Sequence, residues 1–297
     1  MKVAAVGVWL ATGAVCAMAQ AITGAVQFSH DSDSFNEGIQ TIGYTGQQGW
    51  GVKAGALQYT APGWSADGTL LAATFIKDSP QRQINASLGL TQIARRDHVM
   101  GGVDYLEKLS PTTSLGLSAG RDFVNSIGGI QSGITYDSLA VVADHAFTDR
   151  FNVGATAGST LFSNDNNRLN LRTRWNYALH EGAGLNVYIK TRNYQNSNPY
   201  RAEYFSPNRL GEASLGLSVR FPLAQVGVLS ASMDAGRQRI DGASEPIWSA
   251  SVGLASRRGS AVQWMVGGEA TNSASQFASQ VAGYRYASLV ARVSIPF

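Results

Sequence analysis

Apolar and polar residues alternate one by one along much of the chain. Side chains of a β-strand point to opposite faces with a period of two, whereas a helix would spread such residues around its axis. The alternation is present in residues 185–192, 214–221, 248–254 and 288–297. It is clearest in residues 168–179, where Leu169, Leu171, Thr173, Trp175, Tyr177 and Leu179 alternate with arginine and asparagine. These segments are predicted to be strands with one apolar face and one polar face.

Turn-forming residues divide the chain after residue 19 into about sixteen segments of about 9–14 residues, the length of a tilted strand that crosses a bilayer. The segments are predicted to begin near Gly24, Phe35, Gln48, Gly68, Arg82, Asp97, Thr112, Gly133, Arg150, Asn166, Ala183, Asn208, Gln225, Pro246, Ser260 and Gly283. The fold class is therefore all-β, and a closed antiparallel transmembrane β-barrel of about sixteen strands is expected. A secreted β-sandwich or another closed soluble β-protein is the alternative.

The connections between these segments alternate between short and long. Short connections are predicted at 78–81, 109–111, 148–150, 180–182, 222–224 and 257–259, and longer ones at 60–67, 122–132, 194–207, 241–245 and 272–282. Short periplasmic turns and longer outer loops are typical of a transmembrane barrel. With both termini on the periplasmic side, the longer set is expected outside.

The chain ends in a strand pattern that closes on the aromatic residue Phe297. This ending resembles the C-terminal signature that the assembly machinery of bacterial outer-membrane β-barrels recognises. The resemblance implies that Phe297 is an assembly signal. It also implies that the protein lies in the outer membrane of a Gram-negative bacterium, with membrane lipid and the barrel-assembly machinery as partners.

The first nineteen residues have the pattern of a secretory signal peptide. Lys2 precedes a short apolar stretch over 3–15, and 17–19 form an A-x-A cleavage site. Removal of residues 1–19 would leave a barrel domain over 20–297 that contains no cysteine, because Cys16 is the only one in the chain. Disulfides, thiolate metal sites and cysteine nucleophiles are then excluded. The net charge of +3 gives no overall field for nucleic acid.

One loop segment carries a resemblance to a more specific family. The run Tyr204, Phe205, Ser206 and Pro207 is followed by a strand that ends Ser218-Val-Arg-Phe221. It resembles the C-terminal outer-membrane barrel of exopolysaccharide export proteins, of the type found in cellulose export and in poly-N-acetylglucosamine porins. The tetratricopeptide scaffold that usually precedes that barrel is absent from this chain.

The resemblance implies a passive conduit for a glycan, with a periplasmic scaffold or an inner-membrane synthase as partner. It also implies that the four residues of the run lie in an external loop beside the pore and contact the glycan. A loop that only plugs or braces the barrel is the alternative.

The polar faces of the predicted strands supply candidate pore-lining residues. They are Arg172, Arg174, Tyr188, Lys190, Arg192, Glu212, Arg220 and Arg292. Cations that project into a water-filled barrel can bind anionic groups. Two interpretations stay open here: a cationic strip formed by Arg172, Arg174, Lys190 and Arg192, or an internal network in which such cations pair with Glu212, Asp234 and Asp144. The charge of the cargo is open as well.

Enzymatic function is the least favoured interpretation, and no cofactor or metal is expected. The four histidines form no metal-binding pair, and none lies in a catalytic signature. Besides export of an exopolysaccharide, a general diffusion porin or a structural barrel remains as the alternative function. Aromatic residues near strand ends are expected to form interfacial girdles, with saccharide stacking as a second possibility; they are Trp50, Trp64, Trp175, Trp248, Trp264, Tyr284 and Tyr286.

Overall fold

The computed structural model of the chain describes residues 20–223, 226–257, 259–273 and 283–297. The predicted signal peptide over 1–19 and the predicted strand start at Gln225 lie outside these residues, as do parts of three predicted connections, at 224, 258 and 274–282. The described residues form sixteen strands and one helix. In chain order they are β1 Ala21–Asp31, β2 Asn36–Thr45, β3 Trp50–Ala61, β4 Trp64–Asp78, β5 Arg82–Ile93, β6 Arg96–Lys108, β7 Thr113–Phe123, α1 Ile127–Ser132, β8 Thr135–Ala146, β9 Phe151–Phe162, β10 Asn167–His180, β11 Leu185–Asn196, β12 Arg209–Leu223, β13 Gly227–Ile240, β14 Ala243–Ala255, β15 Gln263–Thr271 and β16 Tyr286–Pro296.

The strands close into a single antiparallel barrel. Each strand pairs with its neighbours in the chain, and β1 pairs with β16 along its whole length, from Ala21 opposite Pro296 to Asp31 opposite Tyr286. The amide of Phe297 extends this seam with a hydrogen bond to the carbonyl oxygen of Gln20 at 2.8 Å. Closure leaves no strand edge unpaired. The predicted fold class is confirmed, and every predicted strand start lies within four residues of an observed one.

The outer face of the barrel is apolar, as the sequence alternation predicts. Leu71, Leu88 and Leu169 are each at least 60% exposed, although they lie within regular strands. Gln20 and Phe297 lie at one end of the barrel, called here the terminal end, and the opposite end is called the loop end. Outward-facing aromatic rings pair along the terminal end, such as Trp50 with Phe75 at 4.8 Å. This apolar belt with an aromatic rim is typical of a barrel surrounded by lipid.

The connections at the loop end are shorter than the sequence suggested. The predicted long connections at 60–67 and 241–245 are wrong, because β3 and β4 are joined by residues 62–63, and β13 and β14 by residues 241–242. Gly63 (φ 71°) and Gly242 (φ 100°) adopt the positive φ that tight hairpin turns require. The connections over 124–134 and 197–208 are long, as predicted. Long loops are thus confined to a few strand pairs.

The connection between β7 and β8, residues 124–134, folds into the barrel at the loop end and carries α1. Ser126 caps this helix by accepting a hydrogen bond from the amide of Gly129, and Gly133 ends it in the left-handed conformation. The side chain of Ile130 is 2% exposed and packs into a cluster of inward-facing residues that includes Phe35, Tyr59 and Ile93. Burial of this apolar face holds the connection inside the barrel. Among the described residues, no helix is long and apolar enough to span a membrane.

Candidate lumenal site

One side of the inner wall, formed by β10 and β11, is rich in cations. The polar face of β10 carries Arg168, Arg172 and Arg174, and that of β11 carries Lys190 and Arg192; these five residues are called here the cationic wall. Register places Arg172 opposite Arg192 and Arg174 opposite Lys190. The outward residues between them, Leu169 and Leu171, are 60% and 46% exposed, so the cations point inward. The predicted pore-lining residues of these two strands therefore do lie together.

Arg192 is held by a bidentate ion pair with Glu212 of β12. The two N···O distances are 2.7 and 2.6 Å, and the Ser273 hydroxyl donates to the same carboxylate at 2.7 Å. Paired guanidinium and carboxylate forks of this kind are strong and fix both side chains. Both side chains are largely buried, 19% and 9% exposed. This contact is part of the internal network that the sequence left as an alternative.

Lys190 forms the second ion pair of this wall, with Asp234 of β13 at 2.7 Å. The same carboxylate accepts hydrogen bonds from the hydroxyl groups of Tyr188 at 3.0 Å and of Ser249. Asp234 is only 3% exposed, so its charge is compensated by three donors rather than by water. Asp144, the third predicted acid of the network, lies on β8 and has no ion pair among the described residues.

Arg172 and Arg174 have no acidic partner within the part of the chain that the structure describes. Arg174 lies over the ring of Tyr188 at 3.8 Å and donates to the Asn176 side-chain oxygen at 2.9 Å. The five residues of the cationic wall face two carboxylates, those of Glu212 and Asp234, which leaves a formal charge of +3 on this group of residues. The ion-pair network thus anchors Lys190 and Arg192, and of the four residues predicted to form a cationic strip only Arg172 and Arg174 have no ion pair among the described residues.

The other two predicted pore-lining cations lie apart from this wall. Arg220 faces inward from β12 near the terminal end. Arg292 faces inward from β16, opposite Ala25 and Met265. Both are exposed. Neither has an ion pair among the described residues. They add two positive charges to the lumen, outside the ion-pair network.

The connection between β11 and β12, residues 197–208, contains the Tyr204 to Pro207 run and lies against the barrel wall. The ring of Tyr204 stacks on Phe162 at 4.6 Å, and its hydroxyl accepts from Asn166 at 3.0 Å and donates to Asn164 at 3.1 Å. Burial raises the pKa of Tyr204, so its hydroxyl stays protonated. With 4% exposure, this ring offers a glycan almost no surface in this conformation.

The rest of the run is anchored in the same way. Arg168 donates to the carbonyl oxygen of Phe205 at 2.8 Å, and the side chain of Asn196 donates to that of Pro207. Ser206 is 3% exposed and accepts a hydrogen bond from the amide of Arg201. Only Phe205 keeps partial exposure. These contacts correspond to the bracing role that the sequence left as an alternative, and glycan contact at these residues stays a prediction.

The two long connections touch each other at the loop end; together, residues 124–134 and 197–208 are called here the plug. The Ser126 hydroxyl donates to the carbonyl oxygen of Glu203 at 2.6 Å. A Cβ atom on Gly128 would lie 2.7 Å from the Cα of Glu203, so the two backbones are in direct contact. From the opposite side, Asn125 donates to the buried carboxylate of Glu37 on β2 at 2.7 Å. The sequence did not point to Asn125 or Glu37, which are adjacent only after the loop folds inward.

The predicted aromatic girdle is only partly correct. Trp50, Trp175 and Trp248 are 43–62% exposed on the outer face. Trp64 instead packs inside the barrel against Phe35 at 6.2 Å, because β4 begins earlier than predicted and this places it on the inner parity. Tyr284 is 2% exposed, so it does not face lipid either. Trp264 and Tyr286 are partly buried.

Comparisons with known proteins were made for the whole chain. No protein-family model matches the sequence, and no curated protein matches it either. Among solved structures, the chain is similar to one described as a bacterial polysaccharide outer membrane secretin, with 11% identity, a TM-score of 0.74, and coverage of 95% of this chain and 99% of that one. A second is the Pseudomonas aeruginosa protein OccK7 (OpdD), with 9% identity, a TM-score of 0.48, and coverage of 94% and 98%. At these identities the likeness to the secretin establishes the fold alone, which is that of a sixteen-stranded outer-membrane β-barrel.

Proposed function

We propose that this protein is an outer-membrane conduit for the export of an exopolysaccharide. In this proposal the terminal end faces the periplasm and the loop end faces the outside. The observation that carries the proposal is the inner wall of β10 to β13, where charged side chains face a lumen and are held in place by ion pairs. A hydrated glycan needs a wall of fixed donors and acceptors, and an enclosed apolar core would not provide one.

Two further facts support the proposal. A closed barrel of about sixteen strands is wide enough to hold an aqueous channel. In addition, one solved structure whose fold resembles almost the whole chain is itself described as a polysaccharide secretin. The sequence resemblance of the Tyr204 to Pro207 segment suggests the same class of cargo. A periplasmic scaffold or an inner-membrane synthase belongs to the proposal as the partner that delivers the glycan.

The plug gives the conduit a closed resting state. Residues 124–134 and 197–208 meet at the loop end through the contact of Ser126 and Gly128 with Glu203. A glycan that leaves through this end must displace the contact. The hydrogen bonds that cross it are few, so the arriving chain can separate the two connections without unfolding the barrel.

The test is a deletion strain of the source organism in which surface glycan, periplasmic glycan and uptake of small solutes are all measured. The expected result is loss of surface glycan with accumulation in the periplasm, restored by the wild-type gene. Unchanged surface glycan with slower uptake of small solutes would identify a general diffusion porin instead. Unchanged glycan and unchanged uptake would leave a structural barrel or an enzyme, and would reject the proposal.

A further inference from the structure

Three arginines project outward from the loop ends of two neighbouring strands. Arg209 is the first residue of β12, and Arg237 and Arg239 lie within the last four residues of β13. All three are exposed. The neighbouring residues Leu210 and Gln238 are buried inside the barrel, so the alternation of side chains along each strand places the arginines on the outer face. In the part of the chain that the structure describes, none of the three has an ion pair. The residues outside that part contain no aspartate or glutamate that could supply one.

Arg209 and Arg239 border a groove on the outer wall with a volume of about 1010 Å³. Its floor is formed where Gly211 of β12 lies between Asn193 of β11 and Arg239 of β13. An added Cβ on Gly211 would meet only Asn193, which shows that the space above the glycine is open. The apolar side chains of Leu169 and Leu171 line the other side. The groove therefore has a cationic edge and an apolar edge.

The outer face of these two strands changes from cationic to apolar along its length. On the outer face of β12 and β13, the next large residues toward the terminal end are Leu215 and Met233, which are 59% and 64% exposed. The cations thus lie directly above the lipid-facing belt. Elsewhere at this end, the outward Arg121 of β7 is neutralised by Asp137 at 3.2 Å. The three arginines Arg209, Arg237 and Arg239 form no such ion pair within the described parts of the chain.

One carboxylate, that of Asp241, lies at the rim of the groove. Its two oxygens accept hydrogen bonds from the amides of Asn208 and Arg209, at 3.1 and 2.7 Å. The carboxylate is therefore engaged by backbone donors at the start of β12. The guanidinium group of Arg237 donates one long hydrogen bond, at 3.5 Å, to the hydroxyl of Ser244. Neither this group nor that of Arg239 has an ion pair among the described residues, so both can bind an external anion.

We propose that this groove binds a phosphorylated glycolipid of the outer leaflet. The phosphate groups of its head are held by Arg209, Arg237 and Arg239, and an acyl chain lies along Leu169 and Leu171. Arginine forks match phosphate oxygens, and basic pockets at the membrane surface recognise anionic lipid heads. The proposal requires the loop end to lie in the outer leaflet, and it is independent of what passes through the lumen.

The experiment measures binding of bisphosphorylated lipid A to the full-length protein in detergent by native mass spectrometry. Wild type is compared with an Arg237→Ser/Arg239→Ser variant and with Arg285→Ser, which removes an exposed cation at the same end but three strands away from β13. We expect the double variant to bind lipid A at least about tenfold more weakly, because two charge-assisted contacts are lost. The Arg285→Ser variant should bind like wild type. Heat-modifiable gel mobility checks that each variant is folded.

Two further probes distinguish the source of the phosphate. Enzymatically dephosphorylated lipid A should bind wild type no better than intact lipid A binds the double variant. Inorganic phosphate at millimolar concentration should not displace intact lipid A, because it lacks the acyl chain. Equal binding of the two lipid forms, equal binding by folded wild type and double variant, or full displacement by inorganic phosphate would each overturn the proposal. If the double variant fails to fold, the comparison of the two lipid forms on wild type still decides the question.

Discussion

Replacing Arg172 and Arg174 with serine is expected to shift the ion selectivity of the reconstituted barrel toward cations. The change lowers the formal charge of the cationic wall and its two carboxylates from +3 to +1 and leaves both ion pairs in place. In water, an ion that passes about 7 Å from a unit charge interacts with it by about 0.6 kcal/mol. Removing two such charges therefore changes the unscreened energy of the ion by about 1.2 kcal/mol.

Salt screens this interaction, so the predicted shift in ion selectivity depends on the ionic strength. At 0.15 M the Debye length is about 8 Å, which reduces the effect to about 0.5 kcal/mol for each ion. The energies of the cation and the anion shift in opposite directions, so the permeability ratio changes by about 1 kcal/mol, or about fivefold. At 0.01 M the Debye length is about 30 Å, and the change in the permeability ratio rises to about 25-fold. The assay is the reversal potential across a planar bilayer with a salt gradient, measured at both ionic strengths.

A matched control removes the same charge from the outer face. Arg209→Ser/Arg239→Ser also deletes two arginines, but these are exposed and their side chains point away from the lumen. This variant should keep the wild-type selectivity. If the folded Arg172→Ser/Arg174→Ser barrel showed the wild-type reversal potential at 0.01 M, the conclusion that these cations face the ion pathway would be refuted.

Three other changes test the assembly signal and the plug. Deleting Phe297 should reduce the heat-modifiable fraction in outer membranes, because the seam loses its amide contact to Gln20 and its ring 6.4 Å from Tyr44, whereas Phe297→Tyr should assemble normally. Asn125→Ala should lower the free energy of unfolding in urea by about 1–3 kcal/mol, since the buried Glu37 carboxylate loses a donor at 2.7 Å; an unchanged midpoint would contradict this. Gly128→Val should increase single-channel conductance, because its Cβ would push Glu203 away, while Gly120→Ala, whose nearest neighbour is 3.4 Å from the added Cβ, should leave conductance as it is.

The barrel itself follows from the sequence because its signal is local. The residues of β10 alternate in the printed order, and an error of one residue would place Leu169 and Leu171 in the lumen and Arg172 in lipid. The lengths of the connections were harder to foresee. Residues such as Pro62 and Gly63 signal a turn, but they do not show how far the flanking strands extend, which depends on pairing with β5 and β2.

The candidate site was predictable only in part, because the alternation along a strand is a local signal and several contacts of the site are not local. Parity identifies Arg172, Arg174, Lys190 and Arg192 as inward-facing, and the pairing of consecutive strands brings them together. Which of them are neutralised depends on the level along the barrel axis at which Glu212 and Asp234 lie. That level follows from the register of β12 and β13. The contact between Asn125 and Glu37 joins residues 88 positions apart through an inward-folded loop. No periodic signal in the chain encodes such a contact.

The turns over 62–63, 94–95 and 241–242 leave almost no protein beyond the strand ends at those places. An epitope inserted between Pro62 and Gly63 would be displayed directly above the membrane surface, away from both connections of the plug. Because the Cβ position of Gly63 has no neighbour within 4 Å, such an insertion begins in open space. This turn is therefore the natural attachment point for a fluorophore or antibody tag that reports the orientation of the barrel on intact cells.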